Sequence, residues 1–181
     1  RRVLFRSTVT QEFTKYNGTD TTRPLPDSDV RLVFSESVQT NDTYTPLVDL
    51  YKEVTDAANT GAAEDNARQK MAAALSKAIY LYQVSSDGQT EKLEGYTGSD
   101  KITDDWTIDY RYALITTEEG KTVVTFPNGK GINLKSGASY YFEIQADSIA
   151  DTSSAVNVMG REKLDQFTTV FAVVNLTARN E

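Results

Sequence analysis

The order of apolar and polar side chains divides the chain into three stretches. "VRLVFSESV" (Val30–Val38) alternates: Val30, Leu32 and Phe34 fall on one side, and Arg31, Val33 and Ser35 on the other. That period of two predicts a half-buried strand. Between residues 44 and 80 the period changes. Leu47, Leu50, Tyr51, Val54 and Ala58 recur at helical spacing, with Pro46 in the first turn and "NTG" (Asn59–Gly61) as a stop. A second helix follows, with Ala67, Met71, Ala74, Leu75 and Ala78 on one face. Glu64 and Asp65 lie in its first turn and Lys77 in its last, as the helix dipole prefers. Two helices with a short connection predict a helical hairpin.

From Ile79 the period of two returns. "IYLYQVSSDGQTEKLEGY" predicts two strands about the Asp87-Gly88 pair. "DWTIDYRYALITTEEGKTVVTFP" predicts a second hairpin, with a turn at Glu118–Gly120. Its outgoing strand places Trp106, Ile108, Tyr110, Tyr112 and Leu114 in one phase. Val123, Val124 and Phe126 mark the return strand. "NGKGINLKSG" is a turn-rich connection. "ASYYFEIQA" is a strand with Tyr140, Phe142 and Ile144 in phase, which puts Glu143 on the outward side. Residues 163–177 hold one or two more strands. Before Val30, Val9, Glu12 and Phe13 mark at most a short strand. The rest of 8–29 is rich in Thr, Asp and Pro and reads as linker, because Pro24 and Pro26 resist both helix and central strand. Several short strands with frequent turns predict a mainly β fold, a β-sandwich interrupted by an α-helical hairpin.

Composition narrows the function. The 181 residues are 39% hydrophobic and 25% charged, enough to bury a real core. The net charge of −7 disfavours nucleic acid and anionic membranes as partners. No apolar run is long enough to insert across a bilayer. With no cysteine there is no disulfide framework and no thiolate chemistry. With no histidine there is no Ser-His-Asp or Cys-His nucleophile system and no His/Cys zinc site. An enzyme built on this chain would work with carboxylates, Lys, Tyr, Ser or Thr.

Three pieces together resemble the bacterial immunoglobulin-like domains of S-layer and other large surface proteins. "PLPDSDVRLVFSESV" is similar to that family's entry proline, acidic turn and first core strand. "INLKSGASYYFEIQADSIADTSSAVN" is similar to its "L-x-x-Gly-x-x-Tyr" strand and "I-x-D" turn. Leu134, Gly137, Tyr140 and Ile144 match, then Ile149, Asp151 and Asn157. "QFTT" (Gln166–Thr169) resembles the closing strand. Ser154 departs from the pattern, standing where a glycine usually precedes the Asn, and the helical hairpin is an insertion. The resemblance implies an immunoglobulin-like β-sandwich over 25–170, with the insertion at about 44–80. Residues 8–24 are then a linker or the end of a preceding module, and 171–181 a tail or the start of a following one. "RRVLFRS" (1–7) resembles a translated sequencing adapter from a metagenomic fragment and is expected to be a non-native leader.

The resemblance implies a non-catalytic module of a bacterial cell-surface or secreted protein, an extracellular spacer, structural or adhesive unit. Its partners would be neighbouring modules of the same polypeptide, with a glycan or surface protein as ligand. No cofactor, metal or catalytic residue is expected. The physical roles of the matched residues agree. Gly137 permits a tight turn, Tyr140 can bury its ring while its hydroxyl meets the backbone, and Asp151 can fix a turn through backbone amides. The acids Asp104/Asp105, Glu118/Glu119, Glu143 and Asp147/Asp151 read as solvated or turn-fixing groups. Asp27–Asp29 and Asp147/Asp151 offer calcium oxygen ligands, but without EF-hand spacing. The alternative function is a carbohydrate-binding module of a polysaccharide-processing enzyme. It would use Trp106, Tyr110 and Tyr112 as an exposed stacking stripe, whereas Ile108 and Leu114 in the same phase favour a core face. The helical hairpin reads as a lid over a sheet edge or one end of the sandwich, or as a partner-binding surface.

Overall fold

The computed structural model describes residues 6–102 and 105–171. Residues 1–5 of the expected leader 1–7, Thr103 and Asp104, and residues 172–181 of the expected tail or following module 171–181 lie outside the described residues. The fold is mainly β, with several antiparallel sheets and two helices.

The first sheet has four strands. β4 (Val30–Phe34) is central, with β1 (Val9–Phe13) on one side and β9 (Lys121–Phe126) on the other. β8 (Leu114–Glu118) pairs with β9 and forms the far edge. The alternation read in Val30, Leu32 and Phe34 is present: all three are fully buried and share the core with Val124 and Phe126. Phe13 pairs with Val30 and joins the same core. The stretch read as a linker is therefore part of the folded body. After β1, Tyr16–Asn17 (β2) and Asp20–Pro24 (β3) form a small hairpin. Pro24 sits at the end of β3, a position where a missing N–H costs little.

The second sheet is built on β6 (Ile79–Val84) and β10 (Ser139–Ile144), paired in register from Ile79 opposite Ile144 to Val84 opposite Ser139. β7 (Thr90–Leu93) adds to β6 through a turn in which Gly88 takes φ +85°. That left-handed value is why the hairpin carries Asp-Gly. β12 (Glu162–Lys163) and β13 (Phe167–Thr168) pair with β10 on its other side. A separate pair joins β5 (Val38–Thr40) to β11 (Ile149–Asp151).

The two main sheets share one core through aromatic rings. Phe126 of the first sheet stacks on Phe142 of the second, with centroids 6.0 Å apart. Phe142 lies against Phe167 at 6.3 Å, and Phe167 against Phe13 at 4.7 Å. Tyr140 adds a contact to Phe167 at 5.7 Å. Rings at these separations add roughly 0.5–1.5 kcal/mol per pair beyond the area they bury.

The helical hairpin forms where its period predicted it, as α1 (Leu47–Asp56) and α2 (Ala62–Ala78). Asn59 and Gly61, at φ +65° and +62°, reverse the chain between them. α1 lies against edge strand β8. Leu47, Leu50, Val54, Met71 and Leu75 are buried and belong to the main core. The hairpin is thus integral to the fold. α2 passes into β6 with no loop between Ala78 and Ile79. Replacing Leu75, which is fully buried, with Ala removes its core contacts and leaves a cavity. The variant is expected to lose about 2–5 kcal/mol of unfolding free energy by urea denaturation; a loss within experimental error would show that the hairpin packs only loosely.

Candidate functional site

The expected strand through Trp106–Leu114 does not form. Ile108 makes isolated bridges to Gly95 and Ile132, Tyr110–Tyr112 is a 3-10 turn, and the strand starts only at Leu114. The reason is local. The Asp109 carboxylate accepts the Arg111 backbone N–H at 3.0 Å and caps the turn, ending the extended run. The alternation of Trp106, Ile108, Tyr110 and Tyr112 imitates a strand, but each side chain has a different setting. Trp106 and Tyr110 are buried, at 6% and 4% exposure. The Tyr110 hydroxyl donates to the Ile79 carbonyl at 2.6 Å, and its ring meets Phe126 edge-on at 5.8 Å. Burial pushes the Tyr110 hydroxyl pKa well up. Tyr112 is half-buried, with the Arg68 guanidinium 4.7 Å and the Lys101 ammonium 4.5 Å from its ring centre. The three aromatics therefore do not make one exposed stripe.

Asp109 was not singled out from the sequence, and it is fully buried. Besides the backbone N–H, it accepts Arg111 Nε at 2.9 Å and Nη2 at 2.8 Å, and its Oδ2 lies 2.8 Å from Lys101 Nζ. Two cations and an amide compensate for its desolvation, as a buried carboxylate requires. Arg111 also donates through Nη2 to the Gly98 carbonyl at 2.9 Å, and Lys101 donates to the Lys130 carbonyl. The carboxylate thus ties loop 97–101 and loop 129–131 to the 3-10 turn. The signal available in the sequence was Asp-x-Arg at a cap spacing; the partner at Lys101 is supplied only by the fold.

Glu143 corrects a second expectation. It occupies the outward phase of β10, yet it is only 3% exposed. Tyr80 faces it on β6 and Lys163 on β12. Arg161 Nη2 donates to its Oε2 at 2.7 Å, and the Gln145 side-chain amide to its Oε1 at 3.0 Å. Burial alone would raise its pKa, but these donors outweigh that and hold it below the usual carboxylate range. Glu118, read as a solvated turn acid, forms a two-pronged pair with Arg31 at 2.8 and 2.9 Å and fastens the hairpin tip to β4. Of the Asp104/Asp105 pair, only Asp105 is described; it pairs with Lys135 at 2.6 Å.

Asp151 ends β11. Its Oδ1 accepts the Asn157 N–H at 2.9 Å and the Ser153 hydroxyl at 2.9 Å, and its Oδ2 accepts the Asn157 amide at 2.8 Å. Burial would raise its pKa, but the Asn157 and Ser153 donors prevail and lower it. The residue before Asn157 is Val156, which takes φ +25°, so the turn holds a β-branched side chain in a left-handed conformation. Gly137 takes φ +68° in the turn before β10. The Tyr140 ring is buried and its hydroxyl accepts the Lys135 N–H at 3.0 Å.

Among the described residues, no group of three or more acids stands close enough to hold a metal ion. No protein-family model and no curated protein matches the chain.

Two predictions come from these corners. Asp151→Asn puts an amide donor against the Asn157 amide and is expected to cost about 1–3 kcal/mol. The Asp151 pKa is depressed in the folded state, so its contribution is complete above the ordinary carboxylate pKa and is lost as pH falls through the folded value. Stability measured from pH 6 down to pH 3 should therefore fall less steeply in the variant than in the parent; equal slopes would overturn the assignment. Tyr140→Phe leaves the Lys135 N–H without its acceptor and should cost about 1 kcal/mol in the same denaturation assay.

Proposed function

We propose that the chain is a non-catalytic, immunoglobulin-like module of a large bacterial cell-surface or secreted protein, serving as a spacer, structural or adhesive unit. The observation that carries this reading is the state of its buried acids. Asp109, Glu143 and Asp151 each have their oxygens taken up by cations, amides or hydroxyls of the fold itself. A general acid or a nucleophile needs a free oxygen at a reacting atom. These carboxylates are instead set as fastenings between strands and turns.

Further support comes from two antiparallel sheets around one aromatic core and from a tyrosine hydroxyl that fixes the turn entering β10. The resemblance to surface-protein modules rests on the segment that holds the Gly137 turn, the Tyr140 contact and the Asp151 corner. A chain with no cysteine and an acid excess suits an exported bacterial protein. Such a module contributes a body of defined length, and its natural partners are the neighbouring modules of the same polypeptide. No helix of the described residues is long and apolar enough to cross a membrane.

A panel of chromogenic glycosides, esters and peptides tests the reading. The chain is expected to release no product above that of a folded Glu143→Gln, Asp151→Asn double variant. Turnover that the parent performs and the folded double variant lacks would overturn it.

A further inference from the structure

A cavity of about 750 Å³ opens between α2, the 3-10 turn and the loops tied together by Asp109. We propose that it binds an acidic saccharide, a sugar carrying a carboxylate, and this goes beyond the modular reading without depending on the immunoglobulin assignment. The volume falls within the ordinary range for small-ligand sites.

The charge at its wall runs against the rest of the molecule. The whole chain carries −7, yet Arg68, Lys101, Arg111 and Lys130 all line this one cavity. The acids in contact with them are accounted for. Asp109 is fully buried beneath Lys101 and Arg111, and Glu64 is engaged by Arg68 Nε at 2.9 Å. Asp65 is the carboxylate that lines the cavity itself.

Donor capacity is left over at the same wall. Arg68 uses Nε for Glu64 and Nη1 for the Arg111 carbonyl at 3.0 Å, which leaves Nη2 without a hydrogen bond among the described residues. Arg111 Nη1 makes only a long contact of 3.4 Å, to the Thr97 carbonyl. The exposed Lys130 ammonium has no hydrogen bond or ion pair among the described residues. Guanidinium groups with open N–H positions beside an ammonium match the oxygens of a carboxylate.

The chemical class follows from the balance of these groups. Lys101 and Arg111 already face Asp109, so the surplus suits one carboxylate at a time, such as one of those spaced along an acidic oligosaccharide, better than a compact dianion. The remainder of the wall is polar: Thr97, Ser99, Gln69 and Asp65 supply groups for sugar hydroxyls. Tyr112 has cations close to its ring, which fixes it as their support.

The test is calorimetric titration of the whole chain with digalacturonate, with neutral galactobiose and with sodium sulfate, at low and physiological salt. Digalacturonate is expected to bind with millimolar affinity or better, more weakly at the higher salt, and galactobiose to give no heat. The Arg68→Gln, Lys130→Ala double variant should weaken digalacturonate binding at least about tenfold while remaining folded, with a melting point lowered only by the loss of the Arg68 contacts to Glu64 and the Arg111 carbonyl, since these side chains would meet the carboxylate. Arg111 is left in place because removing it would orphan Asp109. Should the double variant fail to fold, Lys130→Ala alone, at an exposed side chain, is expected to weaken binding about threefold or more. No heat with digalacturonate, unchanged affinity in the folded variant, or galactobiose binding equally well would each overturn the proposal. Sulfate binding as tightly as digalacturonate would overturn the saccharide assignment, leaving a general oxyanion site.

Discussion

The contact on which the structure depends most is the run of rings from Tyr110 through Phe126, Phe142 and Phe167 to Phe13. Five residues from five separate parts of the chain meet there. Each sheet alone would leave one apolar face in water, and neither would hold its register securely. Stacking Phe126 on Phe142 fixes which faces turn inward. Once that is set, Val30, Leu32 and Phe34 are buried, Glu143 must lie on the far side of its strand, and the 3-10 turn must bring Tyr110 to the end of the run.

The polar fastenings are arranged around that run. Tyr140 and Gly137 set the entrance of β10, and Asp151 closes the corner beyond β11. Asp109 ties two loops to the 3-10 turn. Each replaces lost water contacts with fixed donors, and each is buried enough that removing one partner would strand the other. The exposed pairs, such as Lys52 with Asp56 on α1, contribute far less, because solvent screens them.

Much of the fold was legible in the chain because its signals were local. Val30–Phe34 alternates cleanly, the helical hairpin has its period, its stop and its dipole acids, and Asp87-Gly88 marks its own turn. The candidate site was less legible because burial there is decided by residues remote in sequence. Glu143 sits in the outward phase, and it is paired there by Arg161, remote in sequence, beside Tyr80 and Lys163 of the neighbouring strands. Trp106 to Tyr112 alternates like a strand, but a cap bond at Asp109 bends it into a turn. Val9 and Phe13 marked a short strand in the sequence, but the residues after them looked like linker because their Thr, Asp and Pro content shows no alternation, although Tyr16–Asn17 and Asp20–Pro24 pair as a hairpin. Asp109 gave almost no warning, since its partner Lys101 lies across an irregular loop.

The seamless passage from α2 into β6 ties the history of the helical hairpin to that of the second sheet. Ala78 ends the helix and Ile79 begins the strand, and the Ile79 carbonyl is already held by Tyr110. One residue gained or lost at that junction would exchange the two faces of β6, turning Tyr80 and Tyr82 inward and Ile79 and Leu81 out. A change of length in the hairpin is therefore best absorbed at the turn Asn59–Gly61, away from that junction. The hairpin can lengthen at its tip, but it cannot be cut out as a cassette without the strand that follows it.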